Sequence, residues 1–183
     1  MQRMRRVADV TAAVALATGV AILLATGAVA APELGEVVGN DALAGRDIGI
    51  GPDGANLPPG RGSALDGVDL YVEKCAACHG LRGEGGSGPA LAGGFGTLAT
   101  NKPLKTVGSY WPYATTLFDY IRRAMPYDRP MSLTDDETYA LTAYVLWANQ
   151  IVKRDTVLDA RSLPRVKMPN RDGFIDAWET KQQ

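Results

Sequence analysis

Histidine and cysteine are almost missing from this chain of 183 residues: it has one histidine, His79, and two cysteines, Cys75 and Cys78. A zinc site of four cysteines is thereby excluded, as is any mechanism that needs two imidazoles, and two thiols are too few for a disulfide scaffold. Excess charge is missing as well, with 19 Lys and Arg against 20 Asp and Glu. A groove or backbone binder displays a basic face, so nucleic acid is not an expected partner. No strand-like alternation and no internal repeat is present. Any imidazole chemistry must take place at His79.

The first segment reads as a targeting sequence. Met1–Arg6 carries Arg3, Arg5 and Arg6, and Val10–Ala31 follows as 22 residues without a charge. As a helix that run would span roughly 33 Å at about 1.5 Å per residue, enough to cross a bilayer. Ala28-Val29-Ala30 has the small-x-small pattern of a signal-peptidase site, so residues 1–30 are expected to be a signal peptide. An uncleaved segment would instead be a membrane anchor. Either way the remainder is expected to be exported, to the periplasm in a bacterium.

Residues 31–63 are an extended segment by composition. Residues 31–65 hold 8 Gly and 4 Pro, including Gly51-Pro52-Asp53-Gly54 and Leu57-Pro58-Pro59-Gly60, which makes them a linker by this criterion. A domain over 64–150 follows, then an extension over 151–183. Ser63 to Asp66 offers a helix start, and Val68, Tyr71, Val72 and Cys75 recur at helical spacing, predicting a short amphipathic helix over 65–78. Glycines from Gly80 to Gly108 predict a wrapping loop. Ala114–Ala124 reads as a helix with Leu117, Phe118 and Ile121 inward, stopped by Pro126. Thr134-Asp135-Asp136-Glu137 is a capping box that opens a mostly buried helix to about Gln150. The fold class is all-α.

Cys75-Ala76-Ala77-Cys78-His79 is C-x-x-C-H, the attachment motif of a c-type haem. Two thiols three residues apart add to the two vinyl groups on one edge of the porphyrin, and the next residue places an imidazole beneath the iron. A thioredoxin-type site would need a βαβ context, and a zinc site two further ligands. The expected cofactor is one haem c, covalent through Cys75 and Cys78, with His79 as the proximal metal ligand. A metal-bound histidine donates its other N–H to a carbonyl or carboxylate, and the Pro89 carbonyl, on the loop returning past His79, is the candidate acceptor.

With no second histidine, the sixth ligand is Met, Lys, Tyr, an amine, water or nothing. Met125 lies 46 residues after His79, where Pro126 turns the chain out of its helix, and is the first choice. Met131, on the same loop, is the alternative. Met168, in the charged tail, is a third candidate. Residues 31–150 hold 9 basic and 14 acidic side chains, and 151–183 hold 7 and 5, so the positive tail is either a docking surface or simply solvated.

Residues 64–150 resemble a class I cytochrome c, on Cys75-Ala76-Ala77-Cys78-His79-Gly80, Gly88-Pro89, Met125-Pro126, and Leu133-Thr134-Asp135-Asp136-Glu137 leading to Ala143-Tyr144. The resemblance implies a few helices wrapped around one covalent haem. It also implies a crossing of the first and last helices in which Gly67 and Tyr71 meet Tyr144 and Trp147. A narrower resemblance spans most of the chain. Asp47-Ile48, Pro52-Asp53-Gly54, Leu57-Pro58-Pro59-Gly60, Val107-Gly108-Ser109-Tyr110-Trp111-Pro112, Tyr120-Ile121-Arg122-Arg123-Ala124-Met125-Pro126 and Lys167-Met168-Pro169-Asn170-Arg171-Asp172-Gly173-Phe174 are similar to the cytochrome subunits of bacterial sulfite dehydrogenases and of sulfane dehydrogenase. That likeness implies a molybdenum-cofactor dehydrogenase subunit as electron donor and a downstream cytochrome or oxidase as acceptor. It further implies that 31–65 and 151–183 pack on the haem domain, against the compositional reading.

The function expected is single-electron transfer without catalytic residues of the chain's own. A free-standing periplasmic shuttle is the alternative, and a haem enzyme or sensor with an open sixth site a more distant one. Trp111 is a candidate haem-binding residue, against the haem or at a propionate, or else a core aromatic. Arg122 and Arg123 adjoin the Met125 loop, where one of them could neutralise a propionate or meet an acidic partner, or the two form a solvated face.

Overall fold

A computed structural model of the chain describes residues 35–43 and 45–175, so the expected signal segment 1–30 lies outside the described residues. The chain divides into a unit ending at Arg46 and a second running from Asp47. Within the first, α1 is one helical turn, Asn40–Leu43. The second unit carries α2 (Ala64–Lys74), α3 (Ala76–His79), α4 (Ala114–Ala124) and α5 (Asp135–Ala148).

Two capping boxes set the starts of the main helices. In α2 the Asp66 carboxylate accepts from the Ser63 amide at 2.8 Å, and in α5 the Glu137 carboxylate accepts from the Thr134 amide at 2.8 Å. Each box satisfies amides that the first helical turn leaves without partners. Ala64, Gly67 and Tyr71 of α2 are buried, at three- and four-residue spacing, and face α5. In α5 every residue from Thr138 to Leu146 is buried, so the helix has no solvent face there. Its buried hydroxyls are satisfied one turn back, Thr138 on the Thr134 carbonyl (2.8 Å) and Thr142 on the Thr138 carbonyl (2.7 Å). Helix α4 buries Leu117, Phe118 and Ile121, with the Phe118 ring 4.4 Å from that of Tyr139.

The single helix predicted over 65–78 is two. Cys75 leaves helical geometry (φ −128°): its amide closes α2 on the Tyr71 carbonyl, and its carbonyl then accepts from Cys78 and His79 to open α3. Periodicity cannot register such a break, because side chains on both sides keep their spacing.

The linker reading of 31–65 is corrected from Asp47 onward. Ile50 and Leu57 pack on the core, Tyr139 donates its hydroxyl to the Pro58 carbonyl (2.9 Å), and the Arg61 amide donates to Asp136 (2.7 Å). Strand β1 (Arg61–Gly62) pairs antiparallel with β2 (Leu158–Asp159). Backbone groups hold this strap more than apolar side chains do, so a hydrophobic pattern does not reveal it. The C-terminal extension also packs: Leu158, Leu163 and Met168 are buried, Leu163 in the 3₁₀ turn Leu163–Arg165. Asn170 donates its side-chain amide to the Tyr110 carbonyl at 2.7 Å.

Candidate functional site

Helix α3, the loop after it, α4 and α5 together enclose a cavity of about 380 Å³. Cys75, Cys78, His79, Pro89, Trp111 and Met125 all line it, and its apolar walls include Leu91, Leu117, Ile121, Leu141 and Val145. The chain thus gathers its only imidazole, both thiols and one thioether around one largely apolar space.

His79 is held by the loop that follows it. Its Nδ1 lies 2.8 Å from the Pro89 carbonyl oxygen; as the protonated nitrogen it donates there and leaves Nε2 with a free lone pair. The Gly88 amide donates to the Cys78 carbonyl at 2.8 Å and the Gly85 amide to the His79 carbonyl at 2.7 Å. A side chain at Gly88 would start 3.0 Å from the imidazole Cε1, so any larger residue would press the ring out of place by a few tenths of an ångström. Beyond His79, Tyr71 donates to the Gly80 carbonyl (3.0 Å) and Tyr144 to the Leu81 carbonyl (3.3 Å), their rings stacked at 4.3 Å. Burial, the largest cause, pushes both tyrosine hydroxyls above their ordinary range, so they stay protonated donors.

Burial likewise pushes the Cys75 thiol up to about 11, against a smaller opposing pull from Lys74. A redox C-x-x-C motif depresses its first cysteine into the thiolate range, so Cys75 lacks the electrostatics of a thioredoxin-type site. Among the described residues no group of three or more His, Cys, Asp or Glu is placed to hold a metal ion. Two thiols, one at the N-cap of a short helix and one within it, an imidazole with one nitrogen engaged by a carbonyl, a thioether and an apolar wall fit a c-type haem.

The three methionines part company. Met125, at the C-cap of α4, lines the cavity. Met131 has φ 62° and is 56% exposed, and is not among the cavity's lining residues. Met168, in the charged tail, is 3% exposed in the hydrophobic core, as the packing implied by the narrower resemblance requires, and is not among the cavity's lining residues. Trp111 packs edge-on to Tyr120, with ring centroids 5.9 Å apart. The arginines expected at a propionate, at an acidic partner or on a solvated face stay at the surface, Arg122 half-buried and Arg123 exposed: Arg122 pairs with Asp135 at 3.1 Å and Arg123 with Asp119, and neither lines the cavity. Two lysines absent from the sequence reading do line it. Lys74 has its ammonium 3.7 Å from Glu137, and Lys105 lies over the Tyr110 ring at 4.9 Å. Lys74 was available from its position beside Cys75, whereas Lys105 sits in a glycine-rich loop with no periodicity to place it.

Helices α2 and α5 crossed at a glycine, with C-x-x-C-H opening into an apolar cavity, define a class of protein. The chain belongs to the cytochrome c family, whose model matches residues 64–149. It is further similar to a chain in the crystal structure of the sulfane dehydrogenase SoxCD from Paracoccus pantotrophus. The two are 40% identical, the match covers 83% of this chain and 76% of that one, and the TM-score is 0.73. No curated protein sequence matches the chain. Membership of this family implies a covalently held haem c and makes the chain an electron carrier.

Proposed function

We propose that the chain is the electron-accepting cytochrome of an exported molybdenum-cofactor dehydrogenase acting on a reduced sulfur compound, and that it passes the electrons on singly in the periplasm. Cys75 and Cys78 would attach one haem c, and His79 and Met125 would hold its iron. The observation that carries the ligand assignment is the shared cavity of Cys75, Cys78, His79 and Met125, from which Met131 and Met168 are absent. The similarity to a sulfane dehydrogenase chain supports the partner.

The bound haem supplies a one-electron couple, and methionine ligation raises its potential. The chain does the rest. Pro89 orients the His79 imidazole and raises its basicity through the Nδ1 hydrogen bond. Leu117, Ile121, Leu141 and Val145 exclude water from the cavity. With His79 and Met125 both engaged in holding the haem, the chain would offer no position for a substrate, and the sulfur chemistry would belong to the partner.

Oxidised protein is expected to show the far-red charge-transfer band of a methionine–iron bond. Met125→Ala abolishes it and Met131→Ala keeps it; the reverse result overturns the ligand assignment. Co-purification from the native host with a molybdenum-cofactor subunit supports the partner. A monomer reduced equally well by unrelated dehydrogenases overturns it.

A further inference from the structure

We infer that Asn149 is a positioning residue for the His79 imidazole, an inference that rests on His79 being the proximal ligand. Asn149 is the C-cap of α5, 1% exposed, and uses its whole side-chain amide. Its Nδ2 donates to the Leu91 carbonyl (3.0 Å) and to the Val145 carbonyl (2.9 Å), and its Oδ1 accepts from the Gly93 amide (3.1 Å). Two of these three bonds reach across 58 and 56 residues of sequence, onto the loop that carries Pro89. A buried amide placed only to end a helix would need neither.

The remaining ties of that loop show what Asn149 adds. Toward α3 it is held by the Gly88 amide on Cys78 and by the Leu91 and Ala92 amides on the Gly83 carbonyl (2.8 and 3.0 Å). Those bonds are internal to the segment that wraps His79, and they let it shift as a body. Asn149 anchors it to α5, the most buried helix. Thr106 gives a second external tie, its hydroxyl donating to the Gly93 carbonyl at 2.6 Å, and the Val107 amide a third, weaker one to the Leu91 carbonyl at 3.2 Å, so among the described residues Asn149 is the only side chain that ties both Leu91 and Gly93. With Leu91 and Gly93 fixed to α5, the Pro89 carbonyl two residues earlier is fixed as well, and with it the 2.8 Å bond to Nδ1.

The consequence is electronic as well as mechanical. A firm Nδ1–H bond makes the imidazole a stronger donor, which favours the oxidised iron and lowers the reduction potential. Loosening the loop weakens the bond and raises the potential. Water entering the cavity would do the opposite, because solvent stabilises the more highly charged oxidised state.

Asn149→Ala in the full haem-loaded chain tests this, with Leu163→Ala as a core control of comparable destabilisation away from the cavity. Ferric wild-type protein first reports by its far-red band and paramagnetically shifted NMR spectrum whether His79 and Met125 are the ligands; a negative result there defeats the functional reading and leaves the Asn149 test without its premise. Given those ligands, Asn149→Ala is expected to raise the potential and to speed exchange of the His79 Nδ1 proton about tenfold, the effect of losing one well-made hydrogen bond. Leu163→Ala lowers the melting temperature without either change. A potential and exchange rate equal to those of Leu163→Ala make Asn149 merely structural, and a fall in potential means water entry; each overturns the proposal. Should Asn149→Ala not fold, the isosteric Thr106→Val removes the second tie and is held to the same two readouts and the same two refutations.

Discussion

Gly67 and Ala140 meet with no side chain between them: a Cβ on Gly67 would lie 2.3 Å from the Ala140 carbonyl oxygen. This contact lets α2 lie against α5, and one turn further Tyr71 stacks on Tyr144. The crossing therefore sets where α2 ends and where Cys75 enters the cavity. Of the Tyr144 and Trp147 that the family resemblance set against Gly67 and Tyr71, Tyr144 is at the crossing, beside the Ala140 backbone, while Trp147 packs on Tyr144 at 5.6 Å and under Arg154.

Gly67→Ala distinguishes a tight crossing from a tolerant one. Helix propensity alone would stabilise α2 by about 1 kcal/mol. Forcing a methyl against backbone costs about 1–3 kcal/mol, so net destabilisation is expected, read as a lower urea midpoint. A midpoint at or above wild type would show that the two helices separate freely.

Removing the haem tether should cost the fold much of its order. The cavity walls Leu91, Leu117, Ile121, Leu141 and Val145 face a space the cofactor completes. The double variant Cys75→Ala, Cys78→Ala is expected to lose a large part of its far-ultraviolet circular dichroism. Native helicity in that variant would mean that the polypeptide core suffices alone.

Met168 separates packing from ligation. Buried at 3% exposure beside Leu163 and Val107 in one cluster, it should cost about 2–5 kcal/mol when truncated to alanine. The far-red methionine–iron band should persist in Met168→Ala. Its disappearance in a folded variant would move the sixth ligand to the C-terminal extension.

Acid should weaken both caps. Hydrogen bonds from Ser63 hold Asp66 below its ordinary value of 3.8, and the Thr134 amide, the largest cause, holds Glu137 below 4.5. For carboxylates lowered in the folded state, the stabilisation is present above the unfolded values and is lost as pH falls through the folded ones. The urea midpoint should hold from pH 7 to about 5 and fall below about 4. Thr134→Ala should remove about 1 kcal/mol at pH 7 and flatten the acid limb of that profile. An unchanged limb would show that other carboxylates govern it.

The residues with local chemistry were legible in order. C-x-x-C-H states its own function because the spacing is the mechanism, the two capping boxes announce helix starts, and Pro126 ends α4 by excluding the helical region at Met125. The strap from Asp47 was misread because its attachments are main-chain groups of proline- and glycine-rich sequence, such as the Pro58 carbonyl beneath Tyr139. Composition does not reveal the burial of Met168, because seven basic side chains in 151–183 outweigh, in any average, the few apolar ones that enter the core; only the narrower resemblance implies that this extension packs.

By itself, then, the sequence determined the attachment motif, the single available imidazole, the helix boundaries set by caps and proline, and the family to which the chain belongs. Only the tertiary structure decided which methionine shares a cavity with His79, which arginines are already paired, and that Asn149 reaches back to Leu91 and Gly93. The division has a physical cause. Covalent spacing, capping and proline sterics act within a few residues and are written locally. A cavity wall, an ion pair such as Arg122–Asp135 or a buried amide shared by distant loops exists only once packing brings those segments together.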